Sequence, residues 1–491
     1  MIAVTSWVPP VIVVAYIALL FVVTWWSQRM MDRTSKGLVG YLLAGREMPS
    51  WVCAAALAGL AVGGASTIGV AERAYKVGVS AGWYNAAWAA GALITGIFAI
   101  RRYRRFEVST LPELIERYYT PSGRVVAVVG QLAIQVVVTS LQYVAGGAIL
   151  SSLMPQVFTL RAGMVATAVV FVGITLVGGF WAAGLTNVVN VAVIYLGICV
   201  GTAVTVGRAG GIAGLIARAP EGYPGYDLAG VGLPVIAAWF LVMATTAAST
   251  QSVVQIGLAA KDERAAQHGF LLGALLIVPV GFLSALLGMA ARALHPGIAP
   301  TEALPRVVLE MPPLLAGIIL AGLWAADVST ATALLIGSAT LVTNDVVKRF
   351  AARDLDPVRE KWVSRASVLV LGVATFVLAM SVSGILQTLM VGLTLTTGYT
   401  IVVLATMYWP SMCRRGTATW TLVGTMAALG LWYAAPVEWA KVPMPSEIAW
   451  LTSHPIYFVW AMSVVSFLAV AWVDRRRIVA GTSQPRPEQG G

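Results

Sequence analysis

Long apolar stretches alternate with short polar segments along almost the whole chain. A transmembrane α-helix needs about 20 mostly apolar residues, and thirteen stretches of this chain come close to that length. The pattern therefore predicts thirteen transmembrane helices, which we call spans 1 to 13. In chain order they are predicted at 11–26, 51–71, 82–100, 125–153, 162–180, 185–206, 233–256, 270–291, 314–343, 364–382, 385–409, 419–434 and 456–473.

Spans 2 and 7 are interrupted by glycine and polar residues. Span 7 comes five spans after span 2 and so runs in the opposite direction, which allows spans 2–6 and 7–11 to form an inverted repeat. Interrupted helices at matching positions of two such repeats can bind ions and solutes through freed backbone groups. The interrupting residues are Gly59, Gly63, Gly64, Ser66 and Thr67 in span 2, and Thr245, Thr246, Ser249, Thr250 and Gln251 in span 7.

The same pattern predicts the domain organisation. Residues 1–478 form a single transmembrane domain, with repeat one at about 50–207 and repeat two at about 233–409. The polar tail over 479–491 is rich in Pro, Gly and Gln, so we expect it to be disordered.

Composition and charge support a membrane protein over a soluble enzyme. The 491 residues are 58% hydrophobic and 11% charged, with a mean hydropathy of +0.82. The net charge of +11 does not indicate a nucleic-acid partner, because the basic residues lie in short loops and 24 of the 32 Lys and Arg fall on one side of the predicted bundle. By the positive-inside rule that side is cytoplasmic. We therefore expect a multi-pass protein of the cell membrane, with its N-terminus outside and its C-terminus in the cytoplasm.

Span 9 carries the most informative polar residues, in the run from Ala325 to Thr330. An acid and two hydroxyls at membrane depth are costly unless they face a cavity, a partner or an ion. The hydroxyls of Ser329 and Thr330, with backbone carbonyls such as that of Ala326, suit a hard monovalent cation such as sodium. The alternative is that these hydroxyls bond back to carbonyls of their own helix and only pack helices together. On this segment alone, helix packing is the favoured interpretation.

Several motifs together resemble the sodium:solute symporter family, which contains sodium-coupled proline, pantothenate, sialic acid and sugar transporters. The resemblance implies an all-α fold of the leucine-transporter (LeuT) type, with two inverted five-helix repeats, one helix before them and two after. This matches the span count from hydropathy. The motifs are Tyr41-Leu42-Leu43-Ala44-Gly45-Arg46, Gly63-Gly64-Ala65-Ser66-Thr67-Ile68-Gly69, Thr110-Leu111-Pro112-Glu113-Leu114-Ile115-Glu116-Arg117-Tyr118, Gly178-Gly179-Phe180, Ala259-Ala260-Lys261-Asp262 and Ala326 to Thr330.

The resemblance also implies where sodium and solute bind. Sodium would lie between spans 2 and 9, and with that context the ion interpretation of span 9 overtakes the packing one. The implied sodium ligands are the carbonyls of Gly59, Val62 and Ala326 and the hydroxyls of Ser329 and Thr330. The solute would lie beside the ion, and our candidates for its site are Ala65, Ser66, Gln135, Thr246, Thr250 and Gln251, with Thr396 and Tyr399 as outer-gate residues. For any one of these side chains, a purely structural hydrogen bond between helices is an equal alternative.

Two residues depart from the family pattern. Asn187 replaces an acid associated with a second sodium site, which argues against a second sodium bound in the usual way. Conversely, Asp327 stands where the family has an apolar residue. We hypothesise that Asp327 supplies a carboxylate near the ion or takes up a proton during transport. The alternative is that it is neutral, or paired with Asn187 or Asn190.

The leading function is sodium-coupled symport of a small organic solute into the cell by alternating access, with sodium as the coupling ion and no other cofactor. The alternatives are a proton-coupled symporter that uses Asp327, or a channel or sensor on the same scaffold. An enzyme is disfavoured, because His268, His295 and His454 lie at or beyond span ends. No phosphate-binding loop indicates an ATP-driven pump, and the three cysteines show no metal spacing. The sequence leaves the solute open among sugars, neutral amino acids and small acids.

Overall fold

The computed structural model describes residues 7–34, 38–154, 156–351, 355–381, 385–434, 445 and 448–476. The predicted tail at 479–491 lies outside the described residues. Each of the thirteen predicted spans coincides with one helix, part of a helix or a run of adjacent helices, so the all-helical prediction is confirmed. Eight of the described helices are long and apolar enough to cross a membrane, or up to ten if each bent pair is one span.

The spans have the following bounds. Spans 1 to 6 are Val8–Thr34, Ser50–Ala61 with Ala65–Gly69 and Val70–Val77, Trp83–Phe98, Pro121–Leu153, Leu160–Val177 and Gly179–Arg208. Spans 7 to 13 are Leu233–Ser249 with Gln251–Ala259, Glu263–Leu294, Pro313–Thr340 continued as a π-helix over Leu341–Ala351, Pro357–Ala379, Ile385–Thr394 with Thr396–Tyr408, Thr417–Ala434 and Pro455–Arg476.

Shorter helices lie in the connections. The short α-helices are Leu38–Leu43, Ile100–Arg105, Leu111–Tyr118, Gly211–Ala217 and Ala303–Leu309, and the 3₁₀ turns are Ala44–Arg46, Gly78–Gly82, Pro300–Glu302, Pro410–Met412 and Ala449–Ser453.

Local sequence explains where several of these helices begin. Thr110, Thr120 and Asp262 each stand at an N-cap, and each side chain accepts a hydrogen bond from the amide three residues later. Proline occupies the first turn of spans 4, 7, 9 and 10, where its missing N–H costs no helical hydrogen bond.

The two interrupted spans are bent, as the glycine and polar residues predict. At the break in span 2 the helix Ser50–Ala61 meets the helical stretch Ala65–Phe98 at 58°, and the halves of span 7 meet at 48°. Span 2 leaves helical geometry at Val62 (φ −95°, ψ 70°) and span 7 at Thr250 (φ −83°, ψ 131°). Both breaks expose backbone groups that an unbroken helix would use internally.

Span 9 lies at the centre of the bundle. Most of its length is buried, and it packs against spans 1, 4, 5 and 6. Trp324 is fully buried, and its indole N–H donates to Thr167 Oγ1 of span 5 at 3.1 Å. The polar run that follows Trp324 is therefore held in the middle of the protein, against the break in span 2.

Candidate functional site

The hydroxyls of span 9 meet the carbonyls at the end of the first half of span 2. Ser329 Oγ lies 2.8 Å from the carbonyl oxygen of Gly59 and 2.8 Å from that of Ala326, and its one hydrogen can be donated to either. Thr330 Oγ1 lies 3.0 Å from each of these same two oxygens and 3.2 Å from the Leu60 carbonyl oxygen. Both side chains are buried. Two hydroxyls and two shared carbonyls thus converge from two spans, which is an oxygen set that suits a hard cation.

Val62, the remaining predicted ligand residue, stands at the break itself. Its non-helical backbone ends the first half of span 2, and its amide closes the last helical bond, to Ala58. The structure thus brings Gly59, Ala326, Ser329 and Thr330 together, with Val62 at the edge of the same break.

Glycine allows the close approach of the helices around this cluster. A Cβ on Gly59 would lie 2.6 Å from Asn187 Cγ, and a Cβ on Gly63 would lie 2.6 Å from Thr330 Oγ1 and 2.8 Å from Gln142 Oε1. Any side chain at these positions would push spans 4, 6 or 9 away, so the glycines set the spacing of the site.

Asn187 lies behind the cluster, in a chain of amides that joins spans 1, 2 and 6. Its Nδ2 donates to the Ala56 carbonyl at 3.4 Å, and its Oδ1 accepts from Asn190 Nδ2 at 3.3 Å. Asn190 Oδ1 in turn accepts a short hydrogen bond from the Tyr16 hydroxyl. These amides therefore brace the wall of the site.

Asp327 faces the other side of the break. It is fully buried, and neither of its carboxylate oxygens has a hydrogen-bond partner of normal geometry among the described residues; the backbone of Gly64 is the polar group that faces it. A Cβ on Gly64 would lie 2.5 Å from Asp327 Oδ1. The alternative that Asp327 pairs with Asn187 or Asn190 is therefore wrong. The carboxylate lies against the break in span 2, and the two amides form hydrogen bonds with each other, with the Ala56 carbonyl and with the Tyr16 hydroxyl.

A cavity lies beside the cluster, between the two broken spans. Three of the predicted solute residues, Ala65, Thr246 and Thr250, line it, and so does Thr330 of the ion cluster. Thr250 Oγ1 is buried without a hydrogen-bond partner among the described residues. No acidic or basic side chain is among the described residues that line this cavity.

The other three predicted solute residues do not line the cavity. Ser66 Oγ donates to the Ala61 carbonyl within its own span. Gln135 packs against Gly337, where an added Cβ would lie 2.6 Å from its Nε2. Gln251 Oε1 accepts from the Leu111 amide at 2.9 Å. Gln251 thus fits the structural alternative of a hydrogen bond between helices, and Ser66 bonds within its own span. Neither amide atom of Gln135 has a hydrogen-bond partner among the described residues.

Sequence analysis missed several polar and aromatic lining residues. Tyr84 and Trp88 line the cavity one helical turn apart on span 3, and Gln142 and Ser252 add polar groups from spans 4 and 7. The amide of Gln142 was detectable, because it lies seven residues after Gln135 and so on the same face of span 4.

Thr396 and Tyr399 fasten span 11 to its neighbours. Thr396 Oγ1 donates to Thr245 Oγ1 at 2.9 Å, beside the break in span 7. The Tyr399 hydroxyl donates to the Ala127 carbonyl at 2.8 Å, near the start of span 4. That end of span 4 carries Arg124, so Tyr399 lies toward the Arg-rich end of the bundle. The outer-gate role of Thr396 and Tyr399 stays a prediction.

Ion pairs join the helices at the Arg-rich end. Arg124 of span 4 pairs with Glu116 and with Asp345, the latter at 2.7 Å. Arg349 also pairs with Glu116, at 2.7 Å, and Thr110 Oγ1 donates to Asp345 Oδ1 at 2.9 Å. We call these five residues the ion-pair network. It ties the short helix Leu111–Tyr118 of repeat one to the end of span 9 in repeat two.

Comparisons with known proteins agree with this architecture. The sequence matches the sodium:solute symporter family over residues 41–424. The sodium/glucose cotransporter of Vibrio parahaemolyticus is 23% identical, over 95% of this chain and 91% of its own. The sodium/proline symporter of Escherichia coli (strain K12) is 24% identical, over 81% of this chain and 83% of its own.

Solved structures show the same fold. A sodium-coupled sialic acid symporter, in a substrate-bound outward-open state, aligns with a TM-score of 0.79 over 98% of this chain and 100% of its own, at 15% identity. Mhp1, a nucleobase-cation-symport-1 family transporter, aligns with a TM-score of 0.62 over 88% of this chain and 95% of its own, also at 15% identity. These neighbours confirm the LeuT-type fold. With the family match covering most of its length, the chain belongs to the sodium:solute symporter family and is a sodium-coupled symporter.

Proposed function

We propose that this protein couples the entry of one small, uncharged organic solute to sodium bound between spans 2 and 9. In this proposal the sodium ligands are the carbonyls of Gly59, Val62 and Ala326 and the hydroxyls of Ser329 and Thr330. The solute occupies the cavity beside them. The protein makes and breaks no covalent bond, so it is a transporter and not an enzyme.

One observation carries the coupling. Thr330 belongs to the oxygen cluster through its bonds to the carbonyls of Gly59 and Ala326, and it also lines the cavity. A cation that draws this hydroxyl and the break of span 2 together fixes one wall of the solute cavity. Each ligand therefore prepares the site of the other, and linkage requires the two effects on affinity to be equal.

The cavity lining favours uncharged solutes. Three threonine hydroxyls, one serine hydroxyl and the Gln142 amide can exchange hydrogen bonds, while Tyr84 and Trp88 offer flat apolar faces. An ionic solute would need a compensating charge that this lining does not offer. The first solutes to test are glucose and myo-inositol, after which sodium-coupled relatives are named, with proline, the zwitterion of the sodium/proline symporter, as the charged comparison.

The proposed orientation places the Arg-rich end in the cytoplasm of a cell-membrane protein, with the N-terminus outside. The ion-pair network is then the closed inner gate, and transport requires it to open after sodium and solute have bound. Alternating access of this kind moves one repeat against the other around a central site.

The test is uptake of labelled solutes into proteoliposomes, with and without an inward sodium gradient. We expect the wild type to accumulate one of the panel solutes only with the sodium gradient, and the Ser329→Ala/Thr330→Ala variant to lose that accumulation. Ser338→Ala is the matched control, because Ser338 is a buried hydroxyl of the same span that bonds back to Leu334. Accumulation driven by a proton gradient alone, or equal uptake with no gradient, would contradict the proposal.

A further inference from the structure

Asp327 is the one fully buried acid of the central cluster that the proposed sodium site does not use. Its oxygens lie against Gly64 without a normal hydrogen bond among the described residues. An ionised carboxylate in the middle of a membrane protein is stable only when a positive charge lies beside it. No salt bridge among the described residues supplies that charge.

The surroundings of the carboxylate are built from the same break. The backbone of Gly64 faces Asp327, and its amide donates to Gln142 Oε1 at 3.3 Å. Gln142 Oε1 also lies against Gly63, where an added Cβ would lie 2.8 Å away. Two oxygen-bearing side chains, from spans 4 and 9, thus flank the Gly63–Gly64 backbone.

Small residues let spans 2, 4 and 9 pack closely around the carboxylate. A Cβ on Gly64 would lie 2.4 Å from Ala145 Cβ and 2.5 Å from Asp327 Oδ1. Asp327 itself does not line the solute cavity, whereas its neighbours Gly63, Gln142 and Thr330 do. A group that neutralises this carboxylate must therefore be as small as an ion, because the packing excludes part of an organic solute.

We infer that Asp327, with Gln142 Oε1, holds a second monovalent cation beside the break in span 2. This site is separate from the sodium site at Ser329 and Thr330. It puts the second charge on span 9, against Gly64, whereas Asn187 lies against Gly59. The inference rests on the sodium-coupled transport proposed above, and it adds a second coupling ion to it.

Direct binding of ²²Na⁺ tests the site without knowledge of the solute. The full-length protein, in lipid nanodiscs, is titrated with ²²Na⁺ to saturation. We expect two ions per polypeptide for the wild type and one for Asp327→Asn, with the concentration dependence changing from sigmoidal to hyperbolic. Ser329→Ala/Thr330→Ala should also bind one ion, and its combination with Asp327→Asn should bind none.

Two further variants keep the test decisive. Gln142→Leu leaves the carboxylate in place but removes its oxygen partner, so we expect it to weaken the second ion at least about tenfold; it carries the test if Asp327→Asn does not fold. Glu310→Gln, which removes a carboxylate outside the site, should bind two ions. The second site is overturned, and the first left intact, if the wild type binds one ion, Asp327→Asn also binds one and Ser329→Ala/Thr330→Ala binds none. A wild type that binds no sodium overturns both.

Discussion

The ion-pair network offers a perturbation whose size can be worked out from the structure. Arg124 is the central partner, because it alone pairs with both Glu116 and Asp345. The Asp345 side chain is fully buried, whereas those of Glu116 and Arg349 are 19% and 27% exposed. Replacing Arg124 by alanine leaves the buried Asp345 with only the Thr110 hydroxyl as a partner. We expect this cost in free energy to apply only to the state in which the Arg-rich end is closed.

Breaking a fully buried pair costs about 3–5 kcal/mol. Because Glu116 and Arg349 are in contact with water, we take about 2 kcal/mol for this network. If that free energy is lost from the closed state alone, the ratio of open to closed protein rises about 30-fold, at 1.4 kcal/mol per tenfold change. Arg124→Ala should therefore favour opening of the Arg-rich end.

Cysteine labelling measures that shift. In a background without Cys53, Cys199 and Cys413, the reporter Ser252→Cys lies in the buried cavity wall on the second half of span 7. We expect a membrane-impermeant maleimide, applied to inverted vesicles, to label it about 30-fold faster in the Arg124→Ala variant. Adding Asp345→Asn should return most of the closed population, because it removes the orphaned charge.

Arg105→Ala is the matched control. Arg105 also forms an ion pair near the Arg-rich end, with Glu263, but its side chain is 67% exposed and surface ion pairs contribute little. Its labelling rate should stay close to that of the parent. Equal rates for Arg124→Ala and Arg105→Ala, or no recovery on adding Asp345→Asn, would refute a gating role for the network.

Three further predictions concern the solute cavity, the fold and pH. Thr250→Val removes a cavity hydroxyl that has no hydrogen-bond partner among the described residues. Once the solute is known, its KM should therefore rise about 3- to 10-fold in this variant. Thr332→Val is the control and should leave KM unchanged, because the Thr332 hydroxyl bonds back to the Val328 carbonyl. Gly179 separates spans 5 and 6 with a backbone at φ 57° and ψ −153°, and an added Cβ would lie 2.7 Å from Tyr41 Cδ2. Gly211 has a similar φ, but a Cβ there would meet nothing within 4 Å. Gly179→Ala should therefore lower the melting temperature in detergent more than Gly211→Ala does. Burial raises the pKa of Glu116, but hydrogen bonds from Arg124 and Arg349 outweigh burial and hold that pKa below its usual value. The ionised Glu116 therefore stabilises the folded protein at neutral pH, and this stabilisation is lost as pH falls through the acid range. Glu116→Gln should flatten the fall in melting temperature between about pH 5 and pH 3.

Sequence patterns predicted the breaks in spans 2 and 7 well, because glycine and polar residues inside an apolar helix act locally on the backbone. They also predicted the helices themselves, because the length of an apolar span is set by the thickness of the bilayer more than by tertiary contacts. The meeting of Gly59 with Ser329 and Thr330 needed the family resemblance as well, because 270 residues separate these partners along the chain.

The position of each side chain along its span, and the neighbour that it contacts, were harder to predict. Gln135 and Gln142 share one face of span 4, yet only Gln142 reaches the cavity, because the break in span 2 lies level with it. Ser66 and Gln251 satisfy backbone groups, which composition cannot distinguish from solute binding. The pairing of Arg124 with Asp345 spans 221 residues and depends on how the two repeats pack.

The measurement that tests the central claim most directly is the mutual effect of sodium and solute on binding. With the transported solute identified, ²²Na⁺ affinity is measured in its absence and at saturation, and solute affinity is measured with and without sodium. Coupling through Thr330 predicts that each ligand tightens the other by the same factor, and that Ser329→Ala/Thr330→Ala brings this factor to one. A sodium affinity that does not change with solute, or a factor that survives in the double variant, would contradict the account.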